Sequence, residues 1–489
     1  MDQLFPKEIL NWINNEPCPP ETGTWLDKHG PADGKVLCRV ARSNGLDVEK
    51  ALGAAAMARQ SWGEKTVVAR GDIMRAIALG MCDRKDEIAG IVAMETGKSK
   101  ADAMGETEAA IEMGFFVAGE GRRNYGRTTT ASTAHRTVLT KRMPLGIAAL
   151  IIASNTPIAN VAWKAFPSMF CGNVSIMKPS EDTPATAFMF AEICRDAGLP
   201  PGVFNLVQGL GPEAGGPLVE SPDVALVSFT GSSETGCIIQ KVAGERLAKV
   251  CMELGGKNAL IVCDDADLAN AEKWVLSSAF SNAGQRCAAA SRVIVFDAIY
   301  EDFRERLVRS TRGLKIGVGD GDFLGPVINV RHLNNMLAQV DQAVADGASV
   351  LVGGHRLSGP EYGEGYYMAP TILENVAPDA EISQKELFGP ITILYRVSDF
   401  DAAVSLANHS MLGLTSSIHT GSIHRAMEYA ERVEAGVVVI NGGTHGSEPH
   451  MGFGGVKNSG TGWREAGLEA MDVYSDLKYI NIIHDPGKV

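Results

Sequence analysis

The stretch Gly146-Ile147-Ala148-Ala149-Leu150-Ile151-Ile152-Ala153, running directly into Ser154-Asn155-Thr156-Pro157, decides the fold. The apolar run is far too short to span a bilayer and reads as a buried strand. Similar short strands recur downstream at Val174 to Met177, Val203 to Val207 and Ala225 to Phe229, with helical segments between them. Short apolar strands alternating with helices are the pattern of a parallel sheet with crossover helices. One of those helices has both ends written in sequence: Asp182-Thr183-Pro184 offers a cap and then proline, and Ala197-Gly198-Leu199-Pro200-Pro201 stops it. A second alternating series begins near Asn258, with Ala259 to Val262, Arg292 to Val295, Val350 to Val352 and Val437 to Ile440. The expected fold class is α/β, with two parallel-sheet domains meeting near Glu253 to Lys257.

Working outward, the chain from Asp47 to about Gly119 carries apolar residues at three and four spacing, as in Val48 to Trp62 and Val68 to Asp83, and predicts several amphipathic helices. Gly126 to Arg142 is rich in threonine, serine and arginine and alternates through Thr137-Val138-Leu139-Thr140. It reads as exposed strand, either an arm reaching out of the domain or a plain surface hairpin. Val473 to Ile483 alternates again and predicts an edge strand.

At 489 residues the chain exceeds the size at which one core keeps growing, so more than one domain is expected. A composition of 45% hydrophobic and 21% charged residues is that of a globular protein rather than a disordered one. A formal charge of −13 argues against a general binder of nucleic acid. The start, Met1 to Glu8, lacks a basic region followed by an apolar stretch, so no export signal is expected. The nine cysteines contain no C-x-x-C pair, and the ten histidines no H-E-x-x-H, so neither a disulfide framework nor a metal is expected and a cytoplasmic location fits.

The chemistry concentrates on Cys287, in Gln285-Arg286-Cys287, with Glu253-Leu254-Gly255-Gly256-Lys257 upstream. Cysteine alone among common side chains has appreciable thiolate near neutral pH, so it can attack an electrophilic carbon without a base in contact, leaving the glutamate to act later on water. A lone cysteine is more often a small buried hydrophobe, and its company has to decide. Thr230-Gly231-Ser232-Ser233-Glu234-Thr235-Gly236 follows a strand and opens a helix, which turns backbone N–H groups toward a phosphate, although an ordinary tight turn reads the same way. Lys178-Pro179-Ser180-Glu181 closes another strand at the edge where such sheets bind ligands; an ammonium and a carboxylate there can hold ribose hydroxyls, or simply pair on the surface. Asn155 ends the strand that opened this reading, and its amide can donate to an oxyanion.

Together these pieces resemble the NAD(P)-dependent aldehyde dehydrogenase superfamily over nearly the whole chain. The resemblance rests on Ser154-Asn155-Thr156-Pro157, Lys178-Pro179-Ser180-Glu181, Phe229-Thr230-Gly231-Ser232, Glu253 to Lys257, Gly284-Gln285-Arg286-Cys287, Glu386-Leu387-Phe388-Gly389-Pro390 and Phe453 to Gly460, in that order. It implies two Rossmann-like domains plus a small β oligomerisation arm. A cofactor-binding domain would take residues 1–125 and 145–256, the arm 126–144, a catalytic domain 257–458, a return helix 459–472 and an oligomerisation tail 473–489. It further implies that Cys287 is the nucleophile, Asn155 the oxyanion donor together with the Cys287 N–H, and Glu253 the general base. Cofactor contacts would come from Ser154, Lys178, Glu181, Gly231, Ser232, Leu254, Glu386 and Phe388. NAD is the expected cofactor, with NADP open, because a carboxylate at Glu181 would accept from a 2′-hydroxyl and repel a 2′-phosphate. The partners implied are a small-molecule aldehyde and further copies of the chain, as a dimer or tetramer; nucleic acid and membrane are not expected.

The chain departs from the family where most relatives carry Trp-Asn-Phe-Pro and this one has Ser154-Asn155-Thr156-Pro157. With two aromatics missing beside the oxyanion donor, and with Asn160 and Ser447 at positions where relatives place large apolar groups, the expected substrate is a polar or carboxylate-bearing aldehyde. Thr156, Trp163, Arg286 and Phe453 complete the expected pocket, with His445 and His450 as further polar candidates. The flanking residues Pro157-Ile158-Ala159 and Ala162-Trp163-Lys164 look nearest the ketoglutarate semialdehyde dehydrogenase-like branch, whereas succinate semialdehyde enzymes usually carry arginine at the place of Trp163. Trp463 is an extra residue relative to the family pattern. Two rival readings stay open: a CoA-acylating semialdehyde dehydrogenase, in which a thiol rather than water takes the acyl group, and a catalytically silent relative that only binds NAD.

Overall fold

The computed structural model describes residues 5–489; residues 1–4, the start of the stretch examined for an export signal, lie outside the described residues. Ile147–Ile151 is a strand buried at every position, as are Val174–Lys178 and Asn258–Val262. Strands covered on both faces need apolar side chains on both, which is why these runs are continuous rather than alternating.

The first of two seven-stranded sheets runs in the order Lys249–Glu253, Val224–Thr230, Ile147–Ile151, Val174–Lys178, Phe204–Leu206, Asn11–Ile13, Glu16–Cys18. Its first five strands are parallel; the last two join antiparallel, so the sheet is mixed at one edge rather than purely parallel as expected. The second sheet runs Ser349–Val352, Thr371–Glu374, Ile391–Val397, Ala290–Phe296, Asn258–Val262, Thr415–His419, Val437–Ile440, with an antiparallel strand at its Ser349–Val352 edge. A connection too short for a crossover helix forces the antiparallel choice at Glu16–Cys18. Buried apolar residues form one core from Ile9 to Leu254, which Ala466, Met471, Val473 and Tyr474 rejoin, and separate cores between Ala259 and Tyr429.

Chain order in the first sheet leaves Ile147–Ile151 in one direction through Val174–Lys178, then returns to the opposite side at Val224–Thr230. Such a reversal opens a crevice at the carboxyl ends of the two flanking strands. Register brings the key positions to that edge: Ile151 pairs with both Lys178 and Phe229, and Thr230 pairs with Glu253.

The arm is a three-stranded antiparallel sheet in which Arg136–Pro144 pairs with Ser475–Ile483 along its whole length and Thr128–Thr129 adds the third strand. Two expectations are corrected. Residues 459–472 are not a helix: the chain is irregular as far as a four-residue helix at Ala470–Val473, because Gly462 and Gly467 take φ of +88° and +66° and Ala466 joins them at 59°. Helix Pro184–Asp196 starts where expected, but the Thr183 side chain does not cap it; instead the buried Glu95 carboxylate accepts from the N–H groups of Ala185 (2.5 Å) and Thr186 (3.1 Å). Trp463 lies against the first core and receives the Lys249 ammonium 4.7 Å above its ring.

Among the described residues no helix is long and apolar enough to cross a membrane, and no group of three or more acidic, cysteine or histidine side chains is arranged to hold a metal. All nine cysteines are free.

Candidate active site

Glu253 ends the last strand of the first sheet, and Leu254-Gly255-Gly256-Lys257 leads directly into Asn258–Val262, the first strand of the second. Cys287 lies just before Ala290–Phe296, whose Ala290 pairs with Asn258, so the nucleophile loop approaches this linker from the amino edge of the second sheet. The approach is close enough that a Cβ on Gly256 would lie 2.4 Å from the Cys287 carbonyl oxygen, which only glycine permits. Asn258 then ties the loop down, its Nδ2 donating to the carbonyls of Cys287 (2.8 Å) and Ala289 (2.9 Å). Before Cys287 the chain turns through Asn282, Ala283 and Gly284 at φ of 54°, 53° and 65°. Left-handed backbone in two non-glycine residues is strained, and such strain gathers at functional sites.

Asn155 meets this loop. Its backbone carbonyl accepts from Asn282 Nδ2 at 3.2 Å and from Lys98 Nζ at 2.8 Å. Its side-chain Oδ1 accepts from Asn160 Nδ2 at 3.4 Å, which leaves the Asn155 Nδ2 as the outward donor. Asn160 also donates to the Ala153 carbonyl at 3.2 Å, so this position, expected only as pocket lining, holds the Asn155 side chain as well.

The Cys287 thiol is half-buried, and burial together with the Glu386 and Glu253 carboxylates pushes it up to about 12; the Ala288 N–H works the other way. The expectation of appreciable thiolate near neutral pH is therefore corrected for this resting arrangement: desolvation and neighbouring negative charge disfavour the anion. Glu253 is raised well above the usual carboxylate range by burial and by Glu465, against the lowering effects of Lys164 and Arg464. Neither of its carboxyl oxygens has a hydrogen-bond partner among the described residues. Behind it, the buried Lys164 ammonium pairs with Glu465 and donates to Ser228 Oγ at 2.8 Å, and Ser228 in turn donates to Glu465 at 2.6 Å. Sequence reasoning missed Lys164 and Glu465 as charge partners of the base. The available signal was a lone lysine inside Pro157–Phe170, a helix buried on nearly every side, where an unpaired charge would be costly.

At one side of the crevice Lys178 Nζ lies 3.4 Å from Glu181 Oε2. Burial lowers Lys178 against the Glu181 charge. Ser232 caps helix Ser233–Gly244, accepting from the Thr235 N–H at 3.3 Å. Gly231 donates its own N–H to the Glu253 carbonyl at 3.1 Å, so the donors left for a phosphate belong to the first turn of that helix rather than to Gly231. Leu254 packs on Gly236, and Ser154 adjoins Asn155 at the strand end. At the far end Glu386 accepts from the Gly256 N–H at 3.0 Å, and desolvation lifts it to about 7. Phe388 sits in the left-handed region at φ 58° and shares a small cleft with Glu386, Lys257 and Arg286. An anionic ribose acceptor, a buried ammonium and free helix N–H groups around a sheet reversal fit a dinucleotide.

On the substrate side, Trp163 and Phe453 meet edge to face at 5.5 Å and form an aromatic wall. Thr156 precedes helix Pro157–Phe170 without capping it. The Arg286 Nε is buried without a hydrogen-bond partner, and the guanidinium charge acts on both Cys287 and His445. His445 is drawn down to about 4 by burial and by that charge, accepts or donates at Ser277 Oγ (3.1 Å), and is neutral at pH 7. Ser447 is partly exposed nearby in sequence, while His450 is exposed and faces Glu448 at 3.6 Å rather than a buried site.

A family model described as the aldehyde dehydrogenase family matches residues 19–480. The chain is 37% identical to the alpha-ketoglutaric semialdehyde dehydrogenase of Bacillus subtilis, covering 96% of this chain and 97% of that protein. It is 36% identical to the alpha-ketoglutarate semialdehyde dehydrogenase of Haloferax volcanii, covering 96% and 98%. Its structure matches that of betaine aldehyde dehydrogenase from Staphylococcus aureus in complex with NAD+ with a TM-score of 0.95 at 31% identity, covering 98% of this chain and 95% of that one.

Proposed function

The chain belongs to the aldehyde dehydrogenase family and is an NAD(P)+-dependent oxidoreductase; on that premise we propose that it oxidises a carboxylate-bearing aldehyde to the acid by hydrolysis of a Cys287 thioester. The observation that carries the substrate class is Arg286, a guanidinium with an unsatisfied buried Nε directly beside the nucleophile. Arg286 is partly buried as a residue, and a buried Nε left without an acceptor is costly unless a ligand supplies one. Relatives that act on ketoglutarate semialdehyde support the same class.

In this reading the Glu253 carboxylate, which burial makes a stronger base but a scarcer species at neutral pH, takes the thiol proton that burial otherwise holds on Cys287. The sulfur adds to the aldehyde carbon, and the Asn155 amide and Cys287 N–H hold the oxyanion of the thiohemiacetal. When bound, NAD(P)+ supplies the hydride acceptor. Lys178, Glu181, the first turn of helix Ser233–Gly244 and Glu386 would hold it, with Glu181 favouring NAD. Once it has passed the thiol proton to solvent, the Glu253 carboxylate activates the water that releases the acid.

Short semialdehydes should exceed long alkyl aldehydes in kcat/KM, and a tenfold advantage for the alkyl substrates would overturn the substrate class. Arg286→Met should raise KM for a semialdehyde while sparing neutral aldehydes. Release of free acid without CoA distinguishes hydrolysis from the acylating alternative. Cys287→Ala should bind NAD but lose turnover, and a wild-type protein that binds NAD without oxidising any aldehyde would point to the silent reading. The division at residue 257 and the assignment of the arm to oligomerisation belong to the same proposal. Tyr479, Ile482 and Ile483 are exposed on the arm and suit burial against another copy.

A further inference from the structure

We propose that Lys98 and Glu106 form a buried positioning pair that sets the oxyanion donor Asn155, an inference resting on the role given to Asn155 above. The residues Asn155-Thr156-Pro157 must pass from the end of a strand into helix Pro157–Phe170, and nothing in their own side chains fixes that passage. Thr156 makes no side-chain cap bond, and Pro157 has no N–H. The N–H groups of Ile158 and Ala159 would be orphaned at the helix start. Both donate instead to Glu106 Oε1, at 3.0 and 3.3 Å, from the neighbouring helix Lys100–Gly119.

Lys98 completes the clamp. Its Nζ lies 2.6 Å from Glu106 Oε2 and 2.8 Å from the Asn155 carbonyl, and both charged side chains are almost wholly buried, at 3% and 6% exposure. One ion pair therefore holds the peptide before the Thr156-Pro157 bend and the two peptides after it. Asn282 Nδ2 reaches the same Asn155 carbonyl from the nucleophile loop, so the donor and the nucleophile are referenced to each other through one oxygen atom.

The comparison with helix Pro184–Asp196 separates this arrangement from ordinary capping. There too a buried glutamate, Glu95, takes the first N–H groups, but the buried Lys28 ammonium nearby makes no hydrogen bond among the described residues. That lysine acts on the Glu95 charge without bonding to the helix that Glu95 starts. The lysine beside Glu106 differs in that it both pairs with the glutamate and reaches the Asn155 carbonyl.

The pair touches neither sulfur nor dinucleotide, so its removal should slow the step in which the oxyanion forms and leave the thiol and cofactor site alone. A misplacement of one ångström costs on the order of 100-fold. In single-turnover experiments on the full-length enzyme, Lys98→Met should slow NADH formation about 10- to 100-fold, while NAD affinity and the rate of Cys287 alkylation by iodoacetamide stay within about twofold. Lys98→Arg, which keeps the cation, should recover part of the loss. In an Asn155→Ala background the Lys98→Met change should cost little more, because the donor it positions is already gone. Should Lys98→Met fail to fold, Glu106→Gln keeps an acceptor for Ile158 and Ala159 and gives the same comparison. If Asn155→Ala leaves NADH formation unchanged, the oxyanion role of Asn155 falls and the pair's role with it. If Asn155→Ala is slow but Lys98→Met is unaffected, or if the two losses multiply, Asn155 keeps its role and the positioning proposal alone is overturned.

Discussion

Glu386 Oε1 accepts a hydrogen bond from the Gly256 N–H at 3.0 Å, joining the Glu386 loop to the linker between the two sheets. Desolvation raises this carboxyl to about 7, against the Gly256 N–H and Lys257, which favour its charged form. Above that pH the carboxylate can accept from ribose hydroxyls; as pH falls through 7 it takes a proton and loses an acceptor. NAD affinity should therefore weaken by up to about tenfold between pH 8 and pH 6. Fluorescence titration across that range is the check, and Glu386→Gln should flatten the profile.

In the proposed reading Glu181, 3.4 Å from Lys178, sets the cofactor preference. Replacing it removes a negative charge where a 2′-phosphate would lie and leaves the buried ammonium as an attractor. Glu181→Ser should shift the ratio of kcat/KM for NADP over NAD upward by about tenfold or more. An unchanged ratio would show that the preference is set elsewhere.

The strands that build both sheets were legible because burial on two faces writes an uninterrupted apolar run, as in Ile147–Ile151. Asn11–Ile13 and Glu16–Cys18 were not, since strands of three residues at a sheet edge carry too little pattern to stand out from turns. Cys287, Glu253 and Asn155 stood out because their motifs are local. The Lys164–Glu465 pair closes over 301 positions, and no local spacing announces such a contact. The expected return helix over 459–472 failed for a local reason that was present in the chain: glycines at 460, 462 and 467 favour turns over helix.

The raised thiol makes a direct prediction for the cofactor-free enzyme. With Cys287 near 12, the thiolate fraction at neutral pH is small and grows about tenfold per pH unit. Alkylation by iodoacetamide should rise steadily from pH 7 to pH 9 without levelling off. Glu386→Gln removes one of the two carboxylates that raise the thiol, and should speed alkylation at pH 8 about three- to tenfold. A plateau below pH 8 in the wild-type protein would contradict the buried-thiol picture.

Lys164 and Glu465 act on the base with opposite signs, the lysine lowering Glu253 and the glutamate raising it. Lys164→Met removes the favourable cation and leaves Glu465 buried without its partner, so Glu253 should hold its proton to higher pH. Two consequences follow and separate charge from packing. The acid limb of the kcat profile should move upward, so that activity lost at pH 7 returns at alkaline pH, whereas a variant damaged only in packing stays slow throughout. Unfolding in urea should show a loss of about 3–5 kcal/mol, the cost of breaking a buried pair from one side, and Lys164→Met combined with Glu465→Gln should regain part of it by removing the stranded charge. In the double variant Glu465 no longer raises Glu253 and Lys164 no longer lowers it, Arg464 remains as a lowering charge, and the acid limb should return toward its wild-type position. A limb that stays displaced would mean that Lys164 acts on turnover through something other than the field at Glu253.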